Sequence, residues 1–226
     1  MKITVKRKKV KYLRLTVADE NNVYVTAPLE MTDAFISRII REKQSWINKK
    51  IALKRHEKAK YDSLFSSEKV LLGGKEFTVT FADVPNACCV DNFLILPRLK
   101  SLSNELTQKA ISDYLMQIAK KILPKRVSYW GEIMSLCPTA IKIKNYKSSS
   151  TARWGTCNGL GQITLNCKLV QLPEKLMDYV VIHELCHLKN LNHSEEFWAQ
   201  VSRYVKDLNV VKSELRSYGF LTTINN

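Results

Sequence analysis

The sequence is short of the features that would take it out of the ordinary globular class. Glycine and proline together are 13 of 226 residues, too few for a collagen-like or low-complexity chain. No apolar run approaches the roughly 18–20 residues that a membrane-spanning helix requires, so no bilayer span is expected. The basic N-terminal run Lys6-Arg7-Lys8-Lys9 is not joined to the apolar stretch of about 7–15 residues that a secretory signal contains, and a cytoplasmic location is expected. The six cysteines form no C-x-x-C pair, and Cys88 and Cys89 are neighbours with poor geometry for bonding to each other. A disulfide framework is therefore not expected. Acidic residues are also scarce: 21 Asp and Glu face 36 Lys and Arg, a formal net charge of +15.

What is present suffices for one substantial core or two small ones, since 45% of residues are hydrophobic and 25% charged. The positive charge is concentrated at one end, with 16 Lys and Arg against 6 Asp and Glu in residues 1–60. Such a patch attracts polyanions, nucleic acid or nucleotide phosphates, and it equally serves as a solvated surface that aids solubility.

Alternating stretches in residues 3–28, divided by Asp19-Glu20-Asn21-Asn22, predict a β-hairpin. Thr32 is placed to cap a helix carrying Phe35, Ile36, Ile39, Ile40, Trp46, Ile47 and Ile51 at helical spacing to about His56. Strands at 70–72 and 77–81 flank Gly73-Gly74, and 88–96 holds one or two more before Pro97. Residues 1–97 are thus expected to form a basic α+β unit, divided near residues 98–103 from a second unit over 98–226. There, Leu106 to Ile122 form an amphipathic helix that Pro124 should kink or break, with a further piece through Val127 to Met134. A strand at 140–144, a Ser-rich loop at 147–152 and a strand at 162–167 precede a helix opening at Pro173. Trp198, Val201, Tyr204, Val205, Leu208 and Val211 predict one closing helix.

Three of the chain's four histidines lie within eleven residues: His183-Glu184-Leu185-Cys186-His187-Leu188-Lys189-Asn190-Leu191-Asn192-His193. This is an H-E-x-x-H pattern. On a helix, histidines at i and i+4 share a face and can reach one Zn²⁺, while Glu184 points about 100° away, free to hydrogen-bond a metal-bound water as general base. His193 follows in the H-x-x-G-x-x-H spacing of metzincins, with Asn190 at the glycine position. The expectation is that Asn190 accepts the left-handed backbone needed to turn His193 back to the metal. No methionine follows Met177, so the metzincin methionine turn is missing. Cys186 falls on another face from the two histidines. Glu195 or Glu196 is the alternative third ligand.

Arg153-Trp154-Gly155-Thr156-Cys157, Ile163-Thr164-Leu165-Asn166, Pro173, Asp178 to His187, Asn192-His193-Ser194 and Phe197-Trp198 together resemble the YgjP-like family of zinc metallopeptidases, related to the SprT-like and WLM zincins. Pro28 and Glu42 to Ile47 fit as well, so the resemblance covers nearly the whole chain. It implies an α+β, minimal zincin-like domain whose active-site helix follows a small sheet, with Zn²⁺ held by His183, His187 and His193 and Glu184 catalytic. Arg153 is a candidate to steady an oxyanion or a substrate carboxylate, or it stacks on Trp154. Asn166 belongs to a segment, 163–166, that would serve as an edge strand receiving an extended peptide, or else lies inside the sheet.

The expected function is a zinc-dependent hydrolase acting on peptides or proteins. The alternatives are a metal-dependent nucleotide phosphohydrolase and a nucleic-acid-associated module with an accessory metal site. Oligomeric state is not legible here.

Overall fold

The computed structural model describes residues 1–66, 68–98, 103–146 and 153–223. The Ser-rich stretch 147–152 and part of the polar stretch at 98–103 lie outside them. The fold is mixed α+β, in two compact units, residues 1–62 and 63–226. Among the described residues no helix is long and apolar enough to cross a membrane.

In the first unit, β1 (Lys2–Lys8), β2 (Arg14–Val17) and β3 (Asn22–Pro28) form a sheet of order β1-β3-β2. The expected hairpin is β2–β3; its turn is closed by Asp19 Oδ1, which accepts the backbone N–H groups of Asn21 at 2.8 Å and Asn22 at 2.9 Å. β1 adds in parallel on the other side of β3. Period-two alternation puts Val23, Val25 and Ala27 on one face, where Ile36, Ile47 and Ile51 cover them. Those isoleucines come from α1 (Asp33–Glu42), capped by the Thr32 hydroxyl, and α2 (Gln44–Ser66). One helix to about His56 was expected. Instead the backbone leaves the helical basin at Lys43 (φ −92°, ψ 5°), whose N–H returns to the carbonyls of Ile39 and Arg41. A purely backbone cap of this kind leaves no mark in side-chain periodicity.

The second unit begins with β4 (Lys69–Leu72), β5 (Lys75–Ala82), β6 (Cys88–Val90) and β7 (Phe93–Pro97), in the order β4-β5-β7-β6. The division near residue 98 is thereby displaced to residue 62, because this sheet is bonded to chain far downstream. Gly73 and Gly74 take left-handed backbone in the β4–β5 turn, and their N–H groups donate to the carbonyls of Val170 and Gln171, each at 2.9 Å. Bonds between residues a hundred positions apart are invisible to local composition.

α3 (Asn104–Met134) is a single helix, capped by the Ser103 hydroxyl and running through Pro124 without the expected break. Its buried stripe, Ile111, Leu115, Ala119, Leu123, Val127, Gly131 and Met134, continues across the proline. Packing against the 3₁₀ segment Cys167–Gln171 and against α4 (Glu174–Cys186) offsets an intrinsic cost of about 3 kcal/mol. β8 (Ala140–Lys144), β9 (Gly155–Cys157) and β10 (Gln162–Asn166) form the last sheet, order β8-β10-β9. Residues 163–166 therefore sit in the middle strand, and the outer strand beside them is β9. α4 opens after Pro173, as expected. The single closing helix resolves into α5 (Glu195–Ser202) and α6 (Leu208–Ser217), divided where Asp207 takes φ +51°, before a short α7 (Phe220–Thr223).

The two glycines of the β4–β5 turn separate backbone strain from collision. A Cβ at Gly73 meets open space, whereas one at Gly74 stands 2.6 Å from Cγ of Pro173. Gly73→Ala should cost about 1 kcal/mol for its left-handed backbone. Gly74→Ala should cost about 1–3 kcal/mol beyond that, read as a lower urea midpoint at unchanged m-value.

Candidate metal centre

α4 is apolar almost all round: Leu176, Val180, Val181, Ile182, Leu185 and Cys186 are all buried. A helix of this kind belongs in an interior, so the polar side chains it carries there need a reason. Glu184 is 5% exposed and His187 8%. His183 and His187, one turn apart, meet edge to face with ring centroids 4.9 Å apart. The chain then leaves the helix through bonds from the N–H groups of Leu188, Lys189 and Asn190 to the carbonyls of Leu185 and Cys186. His193 returns with its ring 5.0 Å from His183 and 4.8 Å from His187.

The expected left-handed backbone at Asn190 is not what makes this turn. The non-glycine residues with positive φ among those described are Glu68, Asp91, Ser135 and Asp207. Continued helix-type bonding turns the chain instead, and Asn190 acts through its carbonyl, 2.9 Å from His187 Nδ1. A carbonyl can only accept, so Nδ1 carries the proton and Nε2 is left with its lone pair, the tautomer a metal ligand needs.

One coordinating nitrogen from each of the three histidines lies within 4.8 Å of the others. The closest pair, His193 Nε2 and His183 Nε2, is 3.1 Å apart. Two nitrogens each about 2.0–2.1 Å from one tetrahedral metal ion stand roughly 3.3 Å apart, close to the separation of this pair. The donor chemistry agrees. Burial, aided by the charges of His187, His193 and Lys212, pushes the His183 pKa down to about 3, and burial lowers that of His193. Both are thereby held as neutral imidazoles near neutral pH, ready to ligate.

Aromatic packing surrounds the three rings. Phe197, fully buried, stacks on His187 at 4.5 Å and meets His183 and His193 edge-on at 4.9 and 4.8 Å. Trp198 stacks on His193 at 5.4 Å, and Lys212 Nζ lies 3.2 Å from the centre of the Trp198 ring. Both aromatics come from the start of α5, whose Ser194 hydroxyl accepts the Phe197 N–H. Trp198 was expected only as part of a buried stripe, and Lys212 gives no sequence signal at all. Glu196, bonded to the Ser194 hydroxyl, and Glu195 stand outside the histidine group. So does Cys186.

Glu184 is aimed away from the histidine face and toward β9. Its Oε2 is buried without a protein partner, and burial pushes its pKa up to about 8. A dication nearby would pull that value back down. Gly155 is the residue sequence reasoning passed over: a Cβ there would lie 2.8 Å from Oε1 of Glu184. An isolated glycine in a strand is the usual mark of such close approach.

Asn166, the other substrate-binding candidate, lies inside the protein. It is 0% exposed, and its amide is used internally: Nδ2 donates to the Arg153 carbonyl at 3.0 Å and Oδ1 accepts the Lys168 N–H at 3.0 Å. It ties the approach to β9 onto β10. Arg153 itself is exposed.

Residues 11–218 match the model of the YgjP-like metallopeptidase domain. No curated protein matches the chain. Among solved structures, the crystal structure of the metallopeptidase zymogen of Pyrococcus abyssi abylysin is 24% identical, with 42% of this chain and 93% of that chain covered and a TM-score of 0.37.

The Gly155 approach generates a separable prediction. Gly155→Ala should displace the Glu184 carboxylate and lower hydrolytic turnover by about 10²-fold, while bound metal, measured by elemental analysis, stays at the wild-type level. Wild-type turnover in that variant would show that the close approach has no functional role.

Proposed function

The chain belongs to the YgjP-like metallopeptidase family and is a metal-dependent hydrolase; from the site it carries we propose that it is a zinc peptidase with His183, His187 and His193 as ligands and Glu184 as general base. The observation that carries this reading is the convergence of three imidazoles beside a buried carboxyl oxygen with no protein partner.

Zinc bound there supplies a Lewis acid that polarises a carbonyl and brings the pKa of water toward about 7. The remaining work falls to the chain's own residues. Glu184 takes the proton of the attacking water and delivers it to the departing amine, roles that require a carboxyl of elevated pKa in a dry setting. The Asn190 carbonyl holds the His187 tautomer. β9, outermost in its sheet and packed against α4, offers backbone groups to an extended peptide in place of the middle strand β10. Arg153, just ahead of β9 and exposed, is placed to meet a substrate carboxylate or carbonyl.

Two variants separate holding the metal from using it. Purified protein should contain about one equivalent of zinc, and His183→Ala should remove it. Glu184→Gln should keep the metal and lose about 10²–10⁴ in peptide turnover. A folded wild type that binds no zinc would overturn the reading. Turnover of nucleoside triphosphates but not of a peptide library, abolished in Glu184→Gln, would replace peptidase by phosphohydrolase.

A further inference from the structure

The basic residues of the N-terminal unit are sorted by the sheet in a way the sequence does not reveal. Registry decides which share a face: Lys2, Thr4, Lys6 and Lys8 of β1 stand opposite Asn22, Tyr24, Thr26 and Pro28 of β3, and Arg14 of β2 also stands opposite Thr26. The alternate positions, Val23, Val25 and Ala27 with Ile3, Leu15 and Val17, are committed to the core beneath α1 and α2. Lys2, Lys6, Lys8 and Arg14 therefore occupy the face that no helix of the unit covers. The helix lysines Lys49 and Lys50 belong to the layer on the other side. The strand cations and the helix lysines thus form two separate basic surfaces.

The open face has two further properties. None of the three strands carries an Asp or Glu, so its cations are not neutralised within the sheet. At its centre, on the middle strand, Tyr24 is 39% exposed, with Lys6 Nζ 6.0 Å from the ring centroid. A second cation and aromatic pair, Lys11 over exposed Tyr12 at 5.4 Å, lies in the connection from β1 to β2. A surface meant only for solubility has no use for an exposed aromatic amid unneutralised cations. Unpaired bases do, because each presents a π face to stack while its phosphate meets a lysine. A duplex hides those faces and presents phosphates alone.

We propose that the open face of the β1-β3-β2 sheet binds single-stranded nucleic acid, with a base stacked on Tyr24 and phosphates held by Lys2, Lys6, Lys8 and Arg14. The site is independent of the metal centre and does not rest on the peptidase assignment.

Fluorescence anisotropy on the full chain tests it, using labelled oligo(dT), oligo(rU) and a duplex of equal length. Both single strands should bind more tightly than the duplex, and the tighter of the two names DNA or RNA as the preferred polymer. With three or four phosphates neutralised, affinity should fall about 20–50-fold between about 50 and 200 mM salt. Tyr24→Ala should weaken binding at least about 5-fold with the salt slope unchanged, and Tyr24→Phe should restore it, which separates loss of stacking from loss of fold. Lys6→Glu with Lys8→Glu should lower both affinity and salt slope. Lys49→Glu with Lys50→Glu, the same charge change on the opposite layer, should leave both as in wild type. Equal losses from the two double reversals, duplex binding as tight as single-strand binding, or no binding at about 50 mM salt would overturn the proposal.

Discussion

The constraint on which the second unit depends is the gathering of three imidazoles at the end of a buried helix, His187 buried, His183 partly so and His193 exposed. Rings left in water would titrate near neutral pH and repel one another once protonated. Here burial, aided by neighbouring charges, drives His183 down to about 3 and keeps that ring neutral. The consequence is a set of polar rings at the edge of an apolar interior, with two Nε2 atoms 3.1 Å apart. Phe197 makes this tolerable by touching all three rings, and the Asn190 carbonyl satisfies the outward nitrogen of His187.

The same helix must also be held at a fixed depth and rotation, since His183 and Glu184 serve different partners on different faces. At its start, Arg126 of α3 pairs with Asp178 at 2.8 Å through Nε and with Glu174 at 3.0 Å through Nη1, beside the Pro173 ring that Gly74 closely approaches. Along its side, β9 approaches without a Cβ at Gly155. Asn166 ties the strand beside β9 to the chain entering it. Residues that touch no reacting atom thereby decide where the Glu184 carboxyl stands, the division of labour expected when a site is built on rigid elements.

Charge is distributed on a different principle. Near the histidine group the buried polar groups are few, and Glu184 Oε2 and His183 Nδ1 among them have no protein partner. In residues 1–62, cations line the open sheet face while the opposite face builds the core with isoleucine and valine. One chain thus combines a dry site suited to bond cleavage with a wet, unneutralised surface suited to a polyanion, and the two draw on no common residue.

Much of this was legible in the residues alone, where local physics governs. The spacing of His183 and His187 marked two rings that meet, because helical periodicity maps sequence distance onto a face, and His193 converges on them. Thr32, Ser103 and Pro173 marked helix starts, and Gly73-Gly74 a tight turn, because caps and left-handed backbone are satisfied within a few residues. The rest was settled by partners distant in sequence. α3 runs through Pro124 because its stripe packs on segments beyond residue 166, and residues 69–97 join the second unit through bonds to Val170 and Gln171. Asn166 and Gly155 exchanged their apparent importance once β10 lay inside the sheet and β9 against Glu184. Residue types and their spacing supply the atoms that can bind a metal and move a proton; long-range contacts settle which are buried, which neighbours orient them and which cations share a face, because burial, tautomer and registry are properties of contacts that no local window contains.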